Sequence, residues 1–366
     1  MKTTVNELAS KLKKLKGFVP PKLDVVPGIL YDKGTIIASN SELTVMTKLS
    51  TPSLIEERFI IPPRAVDLIA SLPDGNIEIV ADDKSIKIKS GTINSKFATV
   101  PADEQYPGEV DTEIENWEPV TPEHSKTLSA NLKSIIHCCS VENSKPVYTG
   151  VRFDIDDNEK RINMVACDGF RIALTNESAA ETARTMSISA KDIQKILSLE
   201  DSDGIQILQT KTKACFVTGE YVVYTKLLSG EFLNYKSAFP SNPKARLFFD
   251  QKSLVSCLER AIITAGGNKT SVTLISEEDA DGVAKVHFIV KNAGSESDET
   301  IAAVSTLYGE INADYNAKYL LECFKAFGDG QIVFEYFGKN SPVIIDNGEL
   351  KQMIMPVRQK GQKNAE

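Results

Sequence analysis

The sequence predicts an α+β fold made of three tandem repeats, each with two helices packed on antiparallel sheet. Three observations lead there. A helical signature occurs three times at a spacing of 127 residues: Ile61-Pro62-Pro63-Arg64-Ala65-Val66-Asp67-Leu68-Ile69, Ile188-Ser189-Ala190-Lys191-Asp192-Ile193-Gln194-Lys195-Ile196, and Tyr315-Asn316-Ala317-Lys318-Tyr319-Leu320-Leu321. So even a period is the mark of one supersecondary unit used repeatedly. The length of 366 residues holds three units of ordinary domain size, about 120 residues each. Each third also reads in the same order of helix, alternating strands, helix and strands. The expected repeats are 1–122, 123–242 and 243–358, followed by a polar tail over 359–366 that is expected to lack fixed structure.

The first helix of each repeat is expected over 5–15, 129–139 and 252–264. Short period-2 strands follow, such as Gly150-Val151-Arg152-Phe153-Asp154-Ile155 and Ile162-Asn163-Met164-Val165-Ala166. The repeated second helix comes next, with Ser189 and Asn316 as N-caps and Pro62 and Pro63 suited to a first turn. Strands over 76–80, 85–89, 205–209 and 331–336 close the units. Trp117-Glu118-Pro119-Val120-Thr121-Pro122 and Pro240-Ser241-Asn242-Pro243 read as linkers.

The six cysteines include no CxxC pair and mostly sit in apolar runs, where a free thiol acts as a small hydrophobe. That pattern, an N-terminus without an apolar h-region and the lack of a long apolar run point to a cytoplasmic protein without membrane contact. The net charge of −8 argues against nucleic acid when taken alone. Its distribution argues otherwise. Acidic clusters fall in loops, whereas Lys11, Lys14, Lys133 and Lys252 fall on helices. Arg64, Lys191 and Lys318 stand at the same place in the three signatures, in a first helical turn. There the macrodipole disfavours a cation by about 0.3–1 kcal/mol. Three equivalent exceptions suggest an anionic partner.

No catalytic constellation is found. The three histidines lack metal-ligand spacing, no GxSxG or GxGxxG is present, and Ala265-Gly266-Gly267-Asn268-Lys269-Thr270 lacks the glycine spacing of a phosphate loop. Neither cofactor nor metal is expected, and an enzyme is disfavoured. A three-unit protein scaffold that never touches DNA is the competing reading. Three further stretches are weak alone: Cys167-Asp168-Gly169-Phe170-Arg171-Ile172-Ala173, which reads as a hairpin turn; Thr225-Lys226-Leu227 through Gly230, Phe232, Leu233 and Tyr235; and Met353-Ile354-Met355-Pro356-Val357-Arg358, which reads as an edge strand stopped by proline.

In order and position, these stretches resemble the bacterial DNA polymerase III beta subunits, the beta sliding clamps, over nearly the whole chain. Family members typically have Thr-Asp-Gly-His-Arg-Leu at 167–172, so Cys167 and Phe170 are departures, as is Leu233 where proline is usual. The tail after Arg358 is another. The resemblance implies three clamp domains per chain and a head-to-tail homodimer forming a six-domain ring. The ring would encircle double-stranded DNA without reading sequence and confer processivity without catalysis. It implies a weakly basic lining of Lys11, Lys14, Arg64, Lys133, Lys145, Lys191, Lys252 and Lys318. A pocket for hydrophobic motifs of the polymerase III catalytic subunit, the clamp loader and other partners is implied at Tyr148, Cys167, Gly169, Phe170, Arg171 and Ile172. Leu233, Ala238, Met353, Met355, Pro356 and Val357 would complete it. The subunit interface would place Phe97 against Ile262 and Ile263.

Overall fold

A computed structural model describes residues 1–19, 28–40, 42–50, 57–102, 117–121, 125–142, 144–156, 158–200, 204–267, 270–278, 283–292 and 294–357. Pro122, His124, Asn268, Lys269, Arg358 and the tail lie outside the described residues.

The same series of elements runs three times. The first repeat has β1 (Lys2–Thr4), α1 (Val5–Leu15), β2 (Ile29–Asp32), β3 (Thr35–Ser39), β4 (Leu43–Lys48), β5 (Arg58–Ile61), α2 (Pro63–Ser71), β6 (Asn76–Ala81), β7 (Ser85–Ser90) and β8 (Ile93–Ala98). The second has β9 (Glu118–Pro119), α3 (Leu128–Ile135), β10 (Gly150–Asp156), β11 (Arg161–Cys167), β12 (Arg171–Ser178), β13 (Met186–Ser189), α4 (Ala190–Leu197), β14 (Gln206–Gln209), β15 (Lys213–Thr218) and β16 (Tyr221–Lys226). The third has β17 (Ala245–Asp250), α5 (Gln251–Thr264), β18 (Ser271–Glu278), β19 (Ala284–Lys291), β20 (Glu296–Leu307), β21 (Asn312–Asn316), α6 (Ala317–Ala326), β22 (Gln331–Tyr336), β23 (Val343–Asp346) and β24 (Lys351–Ile354).

In every repeat the four middle strands make one half-sheet, and the first strand joins the last three in another. The half-sheets then fuse across repeat borders. β4 pairs antiparallel with β16, setting Val45 opposite Val223, and the eight strands run β5-β2-β3-β4-β16-β15-β14-β9. β12 pairs antiparallel with β24, setting Arg171 opposite Ile354, within a twelve-stranded sheet. The remaining sheet is β1-β6-β7-β8.

Ladder bonds therefore cross the repeat borders, and by contacts the chain falls into two compact units. One comprises residues 1–129, 178–184 and 191–227; the other comprises 130–177, 185–190 and 228–366. The second repeat is shared between them, because its β14–β16 and its β10–β13 belong to different fused sheets.

Helix ends follow from local chemistry. The Thr4 hydroxyl accepts from the Glu7 N–H, the Asp250 carboxylate from the Ser253 N–H and the Asn316 amide oxygen from the Tyr319 N–H. Such caps contribute about 1 kcal/mol each. Val5, Leu8, Leu12 and Leu15 form the buried stripe of α1. Full burial of such side chains stabilises by about 1.5–3 kcal/mol each.

Two expectations change. The stretch from Trp117 is no linker: Trp117 is buried against Leu208, Cys215 and Tyr224, and β9 pairs with β14. Burial of an indole is worth more than the flexibility of a connector. β24 is not an edge strand either, since it lies between β12 and β23. Among the described residues, no helix is long and apolar enough to cross a membrane.

Candidate peptide groove and repeat-placed cations

The β11–β12 hairpin carries the largest share of the residues expected at a peptide groove. Asp168 folds its tip: one carboxylate oxygen accepts from the N–H groups of Phe170 (2.9 Å) and Arg171 (3.0 Å). Gly169 takes φ +92°, a conformation that suits glycine, and its N–H reaches the Cys167 Sγ at 3.2 Å. Cys167 and Ile172 then pack in one apolar cluster with Met353 of β24, and Leu233 and Ala238 lie against it. Phe170 stands 62% exposed above this floor, with Met355 at 39% and Val357 at 42%. The Met355 N–H donates to the Phe170 carbonyl at 2.9 Å, joining the hairpin tip to the chain after β24. Tyr148 meets the ring of Phe232 edge-on at 5.4 Å, and Phe232 packs on the same cluster. Pro356 is half-buried beside Met355. Eleven of the twelve expected residues thus supply either apolar surface or the backbone turn that presents it. Of the supporting residues, Val165, Leu174 and Phe239 were not foreseen, and Tyr235 was singled out only as part of a motif. Val165 and Leu174 lie on β11 and β12, whereas Tyr235 and Phe239 lie in and just after a 3₁₀ turn over Tyr235–Ser237, and apolar character alone does not indicate which cluster they join.

Arg171, the twelfth, turns away from the groove and is only 6% exposed. Its Nε donates to Asp168 (2.9 Å), one terminal nitrogen donates to Glu322 (2.6 Å), and the other donates to the His137 carbonyl (2.6 Å). The guanidinium also lies 4.1 Å from the ring centre of Tyr319. A buried cation needs such pairing, and here two carboxylates supply it. Arg171 therefore supports the wall rather than offering a free donor.

Behind it, burial and the Arg171 charge push His137 down to about 4. The Gln352 side-chain N–H donates to the Cys323 carbonyl, so its oxygen accepts from His137 Nε2 at 3.0 Å. This assigns the neutral Nε2–H tautomer. Burial raises the nearby thiols of Cys138 and Cys139, the latter to about 12. These thiols are therefore unreactive packing groups at neutral pH.

Of the expected cations, Arg64, Lys191 and Lys318 each occupy the second position of their helix, and all three are exposed. Lys14, Lys133, Lys145 and Lys252 are exposed as well. Lys14 lies over the Tyr221 ring at 4.9 Å, and Lys252 pairs with Asp329 at 2.9 Å. Lys11 is the correction. It is 3% exposed, with its ammonium paired to Glu220 and 3.4 Å from the Thr47 hydroxyl. It lies on the buried stripe of α1, and its ammonium is held by the half-exposed Glu220 carboxylate rather than standing open on the surface.

Two open sheet edges complete the picture. Among the described residues, β8 pairs with β7 alone, and residues 296–303 of β20 pair with β19 alone. Phe97 is half-buried on β8; Ile262 is half-buried and Ile263 is 79% exposed near the end of α5. Lys87 stands directly opposite Lys96, a cross-strand like-charge pair, while β20 carries Glu296, Asp298 and Glu299.

Comparison with known proteins agrees with this architecture. Residues 124–234 match the family profile of the DNA polymerase III beta subunit central domain, and residues 236–358 match that of its C-terminal domain. The beta sliding clamp of Staphylococcus epidermidis is 24% identical over 97% of both chains. A putative DNA polymerase III beta subunit from Eubacterium rectale superimposes with a TM-score of 0.88 at 16% identity, over 98% of this chain and 99% of that one. The DNA polymerase sliding clamp of Bacillus subtilis gives 0.85 at 21%, with the same coverage. Three like repeats, the fused sheets and these matches together place the chain in the DNA polymerase III beta-subunit family, the beta sliding clamps.

Proposed function

We propose that two copies of this chain close head to tail into a ring of six repeats around duplex DNA. The ring tethers a replicative polymerase, and its role is processivity without chemistry of its own. The observation that carries this reading is the pattern of sheet seams. β4 of the first repeat joins β16 of the second, and β12 of the second joins β24 of the third. By the same rule β20 of the third repeat seeks the equivalent of those closing strands, which is β8 of a first repeat. Both edges are open; Lys96 lies on β8 with Lys87 and Lys89 on the adjoining β7, while β20 carries Glu296, Asp298 and Glu299, which pair within the chain with Lys291, His287 and Arg260. Pairing between copies would also bring Phe97 to Ile262 and Ile263.

Within such a ring, Lys14, Arg64, Lys133, Lys145, Lys191, Lys252 and Lys318 attract phosphates. These are exposed charges acting over roughly the 8 Å screening length of physiological salt. Contacts of that kind carry no sequence information and let the ring move along the duplex. The groove beside Phe170 receives short apolar motifs of the DNA polymerase III catalytic subunit, the clamp loader and other clamp-binding proteins. Met353 and Met355 suit it to more than one partner.

Sedimentation equilibrium over a wide concentration range tests the ring. The monomer is 40.1 kDa, so a closed dimer should appear at twice that mass and persist on dilution. A monomer at all concentrations would overturn the proposal. Retention on circular DNA with release on linearisation is the expected companion result.

A further inference from the structure

The groove wall and the helix carrying Lys318 share a chain of charges. Asp168 folds the turn that presents Phe170, and Arg171 links Asp168 to Glu322 through separate nitrogens. The other carboxylate oxygen of Glu322 lies 3.5 Å from the Lys318 ammonium, one helical turn back on α6. A second cation ends on the groove as well: Lys145 lies 5.2 Å from the ring centre of Tyr148, which packs edge-on against Phe232. Two of the four cations assigned to DNA in this compact unit therefore touch groove supports.

We propose that DNA engaged by Lys318 and Lys145 tightens the peptide groove through these two contacts, so that the DNA and partner sites are positively coupled. This rests on the clamp reading above.

The sign follows from the charges. Glu322 divides its attraction between Lys318 and Arg171. A phosphate that draws Lys318 off leaves Glu322 to Arg171, and the stronger pair holds Arg171, Asp168 and the Phe170 turn more firmly. Lys145, drawn toward a phosphate, uncovers the face of Tyr148 for an apolar peptide side chain. Arg171 itself stays in place, fixed by Asp168, Glu322, the His137 carbonyl and Tyr319. Linkage requires that a bound peptide strengthen DNA binding by the same factor. Lys318 and Glu322 are partly exposed, so the coupling is modest, about two- to fivefold.

The test uses the full-length dimer and a labelled peptide from the DNA polymerase III catalytic subunit. Affinity is read by fluorescence anisotropy with and without an excess of short duplex, whose own binding is followed separately. The expected result is about two- to fivefold tighter peptide binding with duplex. Lys318→Gln should bind peptide more tightly than the parent before any DNA is added and should respond less to it. Lys318→Gln with Lys145→Ala should not respond. A general loss of structure would weaken the peptide in every condition, whereas this pattern strengthens it in one. Equal affinity with and without bound duplex in the parent protein, or a response that survives in the double variant, would overturn the coupling and leave the ring and groove standing. No peptide binding at all would remove the groove assignment, and the coupling with it.

Discussion

Burial decides what His137 can do. Because its folded pKa of about 4 lies below the unfolded value of 6.5, the folded state favours the neutral ring. That stability is complete above the unfolded value and is lost as pH falls toward the folded one. At pH 5 the loss relative to pH 7 is about 2 kcal/mol. Urea unfolding at the two pH values measures it, and His137→Gln should lack this share of the decline. At the groove, Phe170→Ala combined with Met355→Ala should weaken a polymerase-derived peptide at least about tenfold, as expected for two anchoring side chains. The dimer mass should stay unchanged. Unaltered affinity in anisotropy would refute the groove. The residues proposed to line it could be named from sequence because they sit in short motifs in a fixed order. The inward turn of Arg171 could not be read there, since Glu322 lies 151 residues away and leaves no local trace. Lys11 misled for the same reason: its partner Glu220 is 209 residues distant.

Elements were the most readable level. Periodicity placed α1 over Val5–Leu15 as the structure has it, and α5 within one residue. The α3 helix stops earlier than expected, at Ile135, and its last turn tightens into a 3₁₀ turn over Ile136–Cys138. What sequence pattern cannot show is which strand lies beside which. Nothing in Val45 or Val223 announces that they face each other, because an alternating apolar pattern fits any neighbour of matching face. Close approach of main chains is a related case. Gly150 begins β10, where an added Cβ would lie 2.1 Å from the Ile188 carbonyl oxygen and 2.6 Å from the Leu228 side chain. Gly150→Ala should therefore push β13 away from β10 and cost about 1–3 kcal/mol, as overpacking does. Chemical denaturation measures the cost, and amide exchange along β13 should report where it falls.

At the scale of the whole molecule, the two open edges govern the proposed assembly. Ile263→Asp sets a charge on an exposed apolar side chain that the proposed ring would cover, without touching the core of the monomer. Dimer affinity should fall at least about tenfold by sedimentation while monomer unfolding is unchanged, because a buried unpaired carboxylate is costly. An unaltered dimer would show that α5 lies outside the joint. The fused sheets carry one more consequence. Inside a chain, neighbouring repeats β4 to β16 and β12 to β24 are zipped by main-chain ladders, so prising them apart means partial unfolding. Between chains the proposed joint would be a reversible association. In the proposed ring such a bracelet would have two clasps, one at each joint between chains. Admitting an unbroken circle of DNA means undoing a clasp, and the time the bracelet stays on that circle is set by how often a clasp slips.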